Sequence, residues 1–155
     1  MWIRALITIL LFYFFAVLQN SFLAHFNILG AVPNILFIFF FLLIFFEGQK
    51  SYCQIISWSV VAGFFLDIFS SSYFGASITA LLLIGVLTKK IINSLKEKQD
   101  EYPVVYFIPL FLGFFIIYEI ILRLCFSWII CVEIIYNLTL AFLGFYIYKK
   151  IIKSK

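Results

Sequence analysis

The chain is expected to be an all-α, polytopic membrane protein of six transmembrane helices with both termini in the cytoplasm, and three observations carry that expectation. Of its 155 residues, 66% are hydrophobic and only 12% charged, with a mean hydropathy of +1.18, more than a soluble domain of this size sustains. The apolar residues fall in runs that suit helical spans of about 20 residues. The basic residues collect at alternate breaks between those runs. Barrel strands are excluded because the runs are too long and do not alternate. A single transmembrane domain covers residues 1–155, with no length left for a soluble catalytic domain.

The expected spans are residues 3–22, 32–46, 52–69, 74–92, 104–124 and 127–148. The first is read as a retained span, since its apolar run is too long for a signal peptide and no small-x-small cleavage site precedes Gln19. Gly30 and Pro33 mark the turn into the second span. Glu47, Gly48, Gln49 and Lys50 form a tight turn into the third, where Ser59, Gly63 and Asp67 recur at i, i+4 and i+8 as a face for close helix packing. An uncharged serine-rich break leads to the fourth span, which is expected to continue past the membrane as an amphipathic turn or two through Ile91, Ile92 and Leu95. The only sizeable hydrophilic loop follows, carrying Lys89, Lys90, Lys96 and Lys98 with three acidic residues. The sixth span places Glu133, Asn137, Ala141, Gly144 and Tyr148 down one side, and a basic tail closes the chain.

Loops rich in Lys and Arg stay in the cytoplasm. With the N-terminus inside, Arg4, Lys50, Lys89, Lys90, Lys96, Lys98, Lys149, Lys150, Lys153 and Lys155 all lie there, and of the 11 basic residues only Arg123 falls elsewhere. The net charge of +4 is then explained by a face that meets anionic lipid, and nucleic acid is not needed as a partner.

Polar groups within the spans share one half of the bilayer. At 1.5 Å per residue, Gln19 and Asp67 each lie about 24 Å from the cytoplasmic face, and Glu133 about 9 Å below the outer one. Glu119 and Arg123, on span five, fall in the same outer half and have the i, i+4 spacing of a same-helix ion pair. One Arg cannot neutralise three carboxylates, so at least one of them is expected to be protonated, hydrogen-bonded to Ser or Gln, or paired with a partner protein. Gln19, Asp67, Glu119, Arg123 and Glu133 are therefore candidates for an internal polar knot or a docking site. Lys89, Lys90, Lys96 and Lys98 are candidate cytoplasmic contacts.

No nucleophile motif, P-loop, HExxH or CxxC pair occurs, so neither a cofactor, a metal site nor enzymatic activity is expected. Cys53, Cys125 and Cys131 read as apolar cysteines in or beside the spans. His25 reads as a solvated loop residue.

The order of segments resembles the rod shape-determining protein MreD family. The resemblance runs over about residues 15–90: Leu18-Gln19-Asn20-Ser21 at the end of span one, Pro33-Asn34-Ile35-Leu36 entering span two, the Glu47-Gly48 turn, Gly63-x-x-x-Asp67, the serine-rich break, Gly75 and Leu81. It departs at Asn34, where the family often has Asp after the proline, and in the scarcity of glycine around Ala62-Gly63. The resemblance implies a non-enzymatic scaffold of the cell-elongation machinery in the bacterial inner membrane, supporting cell shape and peptidoglycan synthesis. It implies MreC as bitopic partner, with MreB, RodA and a penicillin-binding transpeptidase nearby. The alternative expectation is a small substrate-binding membrane subunit of an energy-coupling-type vitamin or metal importer, for which an outer-half polar pocket would capture the ligand.

Overall fold

In the computed structural model, which describes residues 2–27, 30–46, 51–70, 73–96, 104–123 and 128–153, the apolar runs form six α-helices. They are α1 Trp2–Val17, α2 Ile35–Phe46, α3 Tyr52–Phe69, α4 Ala76–Lys96, α5 Val104–Arg123 and α6 Trp128–Lys153. A π-helical turn, Leu18–Phe22, and a 3-10 turn, Leu23–Phe26, extend α1. Five stretches are long and apolar enough to cross a bilayer: Ile3–Phe26, Tyr52–Phe69, Ala76–Ser94, Tyr106–Arg123 and Trp128–Lys150. The chain is an all-α, multi-pass membrane protein.

The second span differs from the expected 32–46 helix. Only 12 residues of it are helical, about 18 Å of rise against a hydrocarbon core of about 30 Å. The approach to it, residues 31–34, is non-helical, with Ala31 and Pro33 buried. Irregular backbone at membrane depth is tolerated where protein encloses it. The reason for the enclosure lies in the sequence of α2, ILFIFFFLLIFF, which has no polar face. A helix apolar all round belongs in the middle, and α2 packs against α1, α3, α4 and α6.

Its contact with α5 is a ladder of rings. Phe37, Phe41 and Phe45 recur every fourth residue on α2 and meet Phe115, Phe111 and Phe107 on α5, at centroid distances of 5.4, 5.4 and 5.1 Å, all edge-to-face. That geometry sets the positive edge of one ring on the negative face of the next and contributes about 0.5–1.5 kcal/mol per pair. Because lipid tails are as apolar as these side chains, close packing and ring geometry hold the helices together rather than escape from water.

Small residues set the other approaches. A Cβ on Gly63 would lie 2.5 Å from Ile78 Cα, and one on Gly85 would lie 2.7 Å from Ser59 Oγ, so the face Ser59, Gly63 and Asp67 lies along α4. A Cβ on Gly144 would meet Leu42 Cδ1 at 2.8 Å, and Tyr148 stacks on Phe46 at 4.3 Å. The face running from Asn137 to Tyr148 thus lies along α2.

These pairings make successive helices antiparallel and bring the cations to one end. Arg4 begins α1, Lys89, Lys90 and Lys96 occupy the last turns of α4, and Lys149, Lys150 and Lys153 close α6. Large side chains such as Leu6, Leu10 and Phe14 on α1 and Ile135, Leu143 and Tyr146 on α6 point outward, as expected of surfaces that face lipid.

Candidate functional site

Polar residues gather at the end of the bundle opposite those cations, and they do three separate jobs. The first is to start α2. Asn34 precedes the helix and its Oδ1 accepts the N–H of Phe37 at 3.0 Å, the usual N-cap bond from the residue before a helix to its third residue. The Asn34 N–H donates to Asn137 Oδ1 on α6 at 2.7 Å. The Leu36 N–H donates to Gln19 Oε1 at 3.3 Å. Pro33 has no N–H to satisfy, which suits a buried position. Gln19 lies in the π-helical turn Leu18–Phe22, a rare i→i+5 arrangement that occurs mostly as single turns within α-helices.

The second job is to start α4. Asp67 is buried, and its oxygens accept the N–H groups of Gly75 at 2.8 Å, Ser77 at 2.9 Å and Ile78 at 3.4 Å. Ala76 donates instead to Tyr73 O at 3.1 Å, and Thr79 makes the first regular helical bond to Gly75 O at 3.0 Å. Gly75 has φ of +97°, a backbone state that L side chains rarely adopt. A carboxylate at a helix N-terminus is stabilised by the N–H groups and by the helix dipole.

The third is an ion triad. Arg123 Nε lies 3.0 Å from Glu119 Oε2 on its own helix, and Arg123 Nη2 lies 2.7 Å from Glu133 Oε1 on α6. Both glutamate side chains are about 95% buried, at 6% and 5% exposure, while Arg123 is 40% exposed. Glu133 Oε2 is buried with no hydrogen-bond partner. The triad lines an open pocket of about 620 Å³ together with Gln19, Asn20, Asn34, Leu66 and Tyr118. The Tyr118 ring is buried against Phe37 at 4.9 Å, and its hydroxyl faces Ser77 and Asn34.

The five candidates for the polar cluster lie at one end of the bundle but not in one site. Gln19, Glu119, Arg123 and Glu133 share one pocket, but Asp67 does not line it; its oxygens are taken by the α4 amides. Lys89, expected as a cytoplasmic contact, is buried, with its ammonium 4.1 Å from the centroid of the Tyr52 ring, so it serves the α3–α4 contact, while Lys90 is exposed. Gly48 and Lys98 lie outside the described residues, as does Cys125. Cys53 and Cys131 are free thiols, and among the described residues no three His, Cys, Asp or Glu come together as a metal cluster.

Asn137 and Tyr118 were not singled out as site residues from the sequence. Asn137 carries a signal, an amide within an apolar span, four residues after Glu133 on the stripe that continues through Ala141, Gly144 and Tyr148. Asn34 carries a stronger one, since Pro-Asn before an apolar run is an N-cap pattern. Comparison with protein-family models, curated proteins and solved structures finds no match.

Proposed function

We propose that the protein is a non-catalytic scaffold of the bacterial cell-elongation machinery in the inner membrane, docking a bitopic partner of the MreC kind. MreB filaments, RodA and a penicillin-binding transpeptidase are further partners in this reading. The observation that carries it is what the residues of the MreD resemblance do. Gln19, Gly63, Asp67 and Gly75 seat α2 and α4 at the pocketed end of the bundle, and Pro33 is buried two residues ahead of α2. They act through hydrogen bonds and close approach, which is the work of a rigid binding surface. By the positive-inside rule this end faces away from the cytoplasm, where the soluble part of a bitopic partner would meet it. Lys90 and its neighbours at the opposite end are the surface left for cytoplasmic contacts.

The experiment is depletion in a rod-shaped host together with affinity purification from membranes. Rounded cells and recovery of MreC support the proposal; normal rods after complete depletion overturn it. A second reading, the substrate-binding subunit of a vitamin or metal importer, is favoured by one feature, the open pocket with charged walls. Thermal stabilisation of the purified protein by a vitamin would select that reading.

A further inference from the structure

We infer that the pocket at Glu119, Arg123 and Glu133 binds a small organic monocation, an alkylammonium or alkylguanidinium, through the Glu133 carboxylate. The inference does not rest on the cell-elongation reading. It rests on charge and on one unsatisfied atom. Two buried carboxylates face a single guanidinium, so with both ionised the triad carries one net negative charge. Arg123 gives one nitrogen to each carboxylate, and Glu133 Oε2 remains buried without a partner. Protonating that oxygen does not resolve the matter, because the new O–H would itself lack an acceptor. A cationic N–H donor answers both deficits at once, and charged hydrogen bonds are about twice as strong as neutral ones.

Two amide oxygens on the wall already accept backbone N–H groups. Gln19 Oε1 takes the Leu36 amide and Asn34 Oδ1 the Phe37 amide. An anion would meet the same net negative charge. A divalent metal would need both carboxylates on one side of it, and the Arg123 guanidinium stands between them. Leu66, Phe69 and Leu122 supply apolar wall for a short alkyl chain, and the volume of about 620 Å³ falls in the range of small-molecule sites. Arg123, at 40% exposure, is the least buried member of the triad, and cation binding requires its guanidinium to shift toward Glu119 so that a second donor reaches Oε2.

The test is calorimetric titration of the full chain in lipid nanodiscs with n-pentylammonium, n-pentylguanidinium and neutral 1-pentanol. Saturable binding of both cations and none of the alcohol is expected, with affinity at least tenfold lower in Glu133→Gln. Equal cation binding by Glu133→Gln, or saturable binding of pentanol, overturns the assignment. So does Glu133-dependent binding of magnesium ion in place of the amines. Should Glu133→Gln fail to fold, Leu122→Trp fills the pocket and leaves both carboxylates in place. It too is expected to lose cation binding tenfold, and unchanged affinity there overturns the proposal. Cell shape on depletion is read separately, so a failed titration leaves that experiment intact.

Discussion

Asp67, two residues from the end of α3, accepts the backbone N–H of Gly75 at 2.8 Å and so ties the start of α4 back onto the helix before it. The first N–H groups of a helix have no partner inside it, and in lipid no water replaces one. Asp67→Ala leaves the Ser77 and Gly75 amides unsatisfied and is expected to cost about 2–3 kcal/mol of stability. Asp67→Asn keeps one acceptor and is expected to cost about 1 kcal/mol. Unfolding in mixed detergent micelles reads both, and two neutral variants would show that the cap is dispensable.

Gly63 and Gly113 make opposite predictions for the same change. A Cβ at Gly63 runs into the backbone of Ile78, whereas nothing lies within 4 Å of a Cβ at Gly113. Gly63→Ala is expected to destabilise by about 1–3 kcal/mol through overpacking. Gly113→Ala is expected to stabilise by up to about 1 kcal/mol through helix propensity. Equal effects at the two sites would mean that α3 and α4 do not approach as closely as found.

Arg123 holds two carboxylates, so its loss should matter more than the loss of either partner. Breaking a buried pair costs about 3–5 kcal/mol; with Arg123 40% exposed, Arg123→Met is expected to cost about 1–3 kcal/mol. Adding Glu133→Gln should return at least half of that. A double-mutant cycle measures the coupling, and additive single effects would remove the ion triad as a stabilising unit.

Orientation is tested by chemistry from one side. In a variant with Cys53, Cys125 and Cys131 replaced by Ser, Tyr73→Cys is expected to react with a membrane-impermeant maleimide on intact cells. Lys90→Cys is expected to react only after permeabilisation. Tyr73 is 87% exposed and lies three residues before α4 at the pocketed end. The reverse labelling pattern would invert the protein in the membrane and place the pocket in the cytoplasm.

Much of this architecture is legible in residue order. The number of helices follows from run length, the shared end of the cations from their alternation, and the α3–α4 contact from the spacing of Ser59, Gly63 and Asp67. The pairing of Glu119 with Arg123 follows from i, i+4 spacing. Depth counting placed Asp67 beside Glu119 and Glu133, however, because depth gives one coordinate and leaves the rotation of each helix undefined. Asp67 turns toward α4 and its amides, not toward α5 and α6.

What the sequence by itself determined is the all-α membrane class, the set of apolar segments and the charge asymmetry, since these follow from hydropathy and the lack of water in the bilayer. The tertiary structure alone decided that α2 is a short buried helix started by Gln19, Asn34 and Asn137 from three parts of the chain. It alone decided that Arg123 reaches Glu133 across two helices. Hydrogen bonds and ion pairs act over about 3 Å, so their partners are chosen by helix rotation and close packing, which no local pattern encodes.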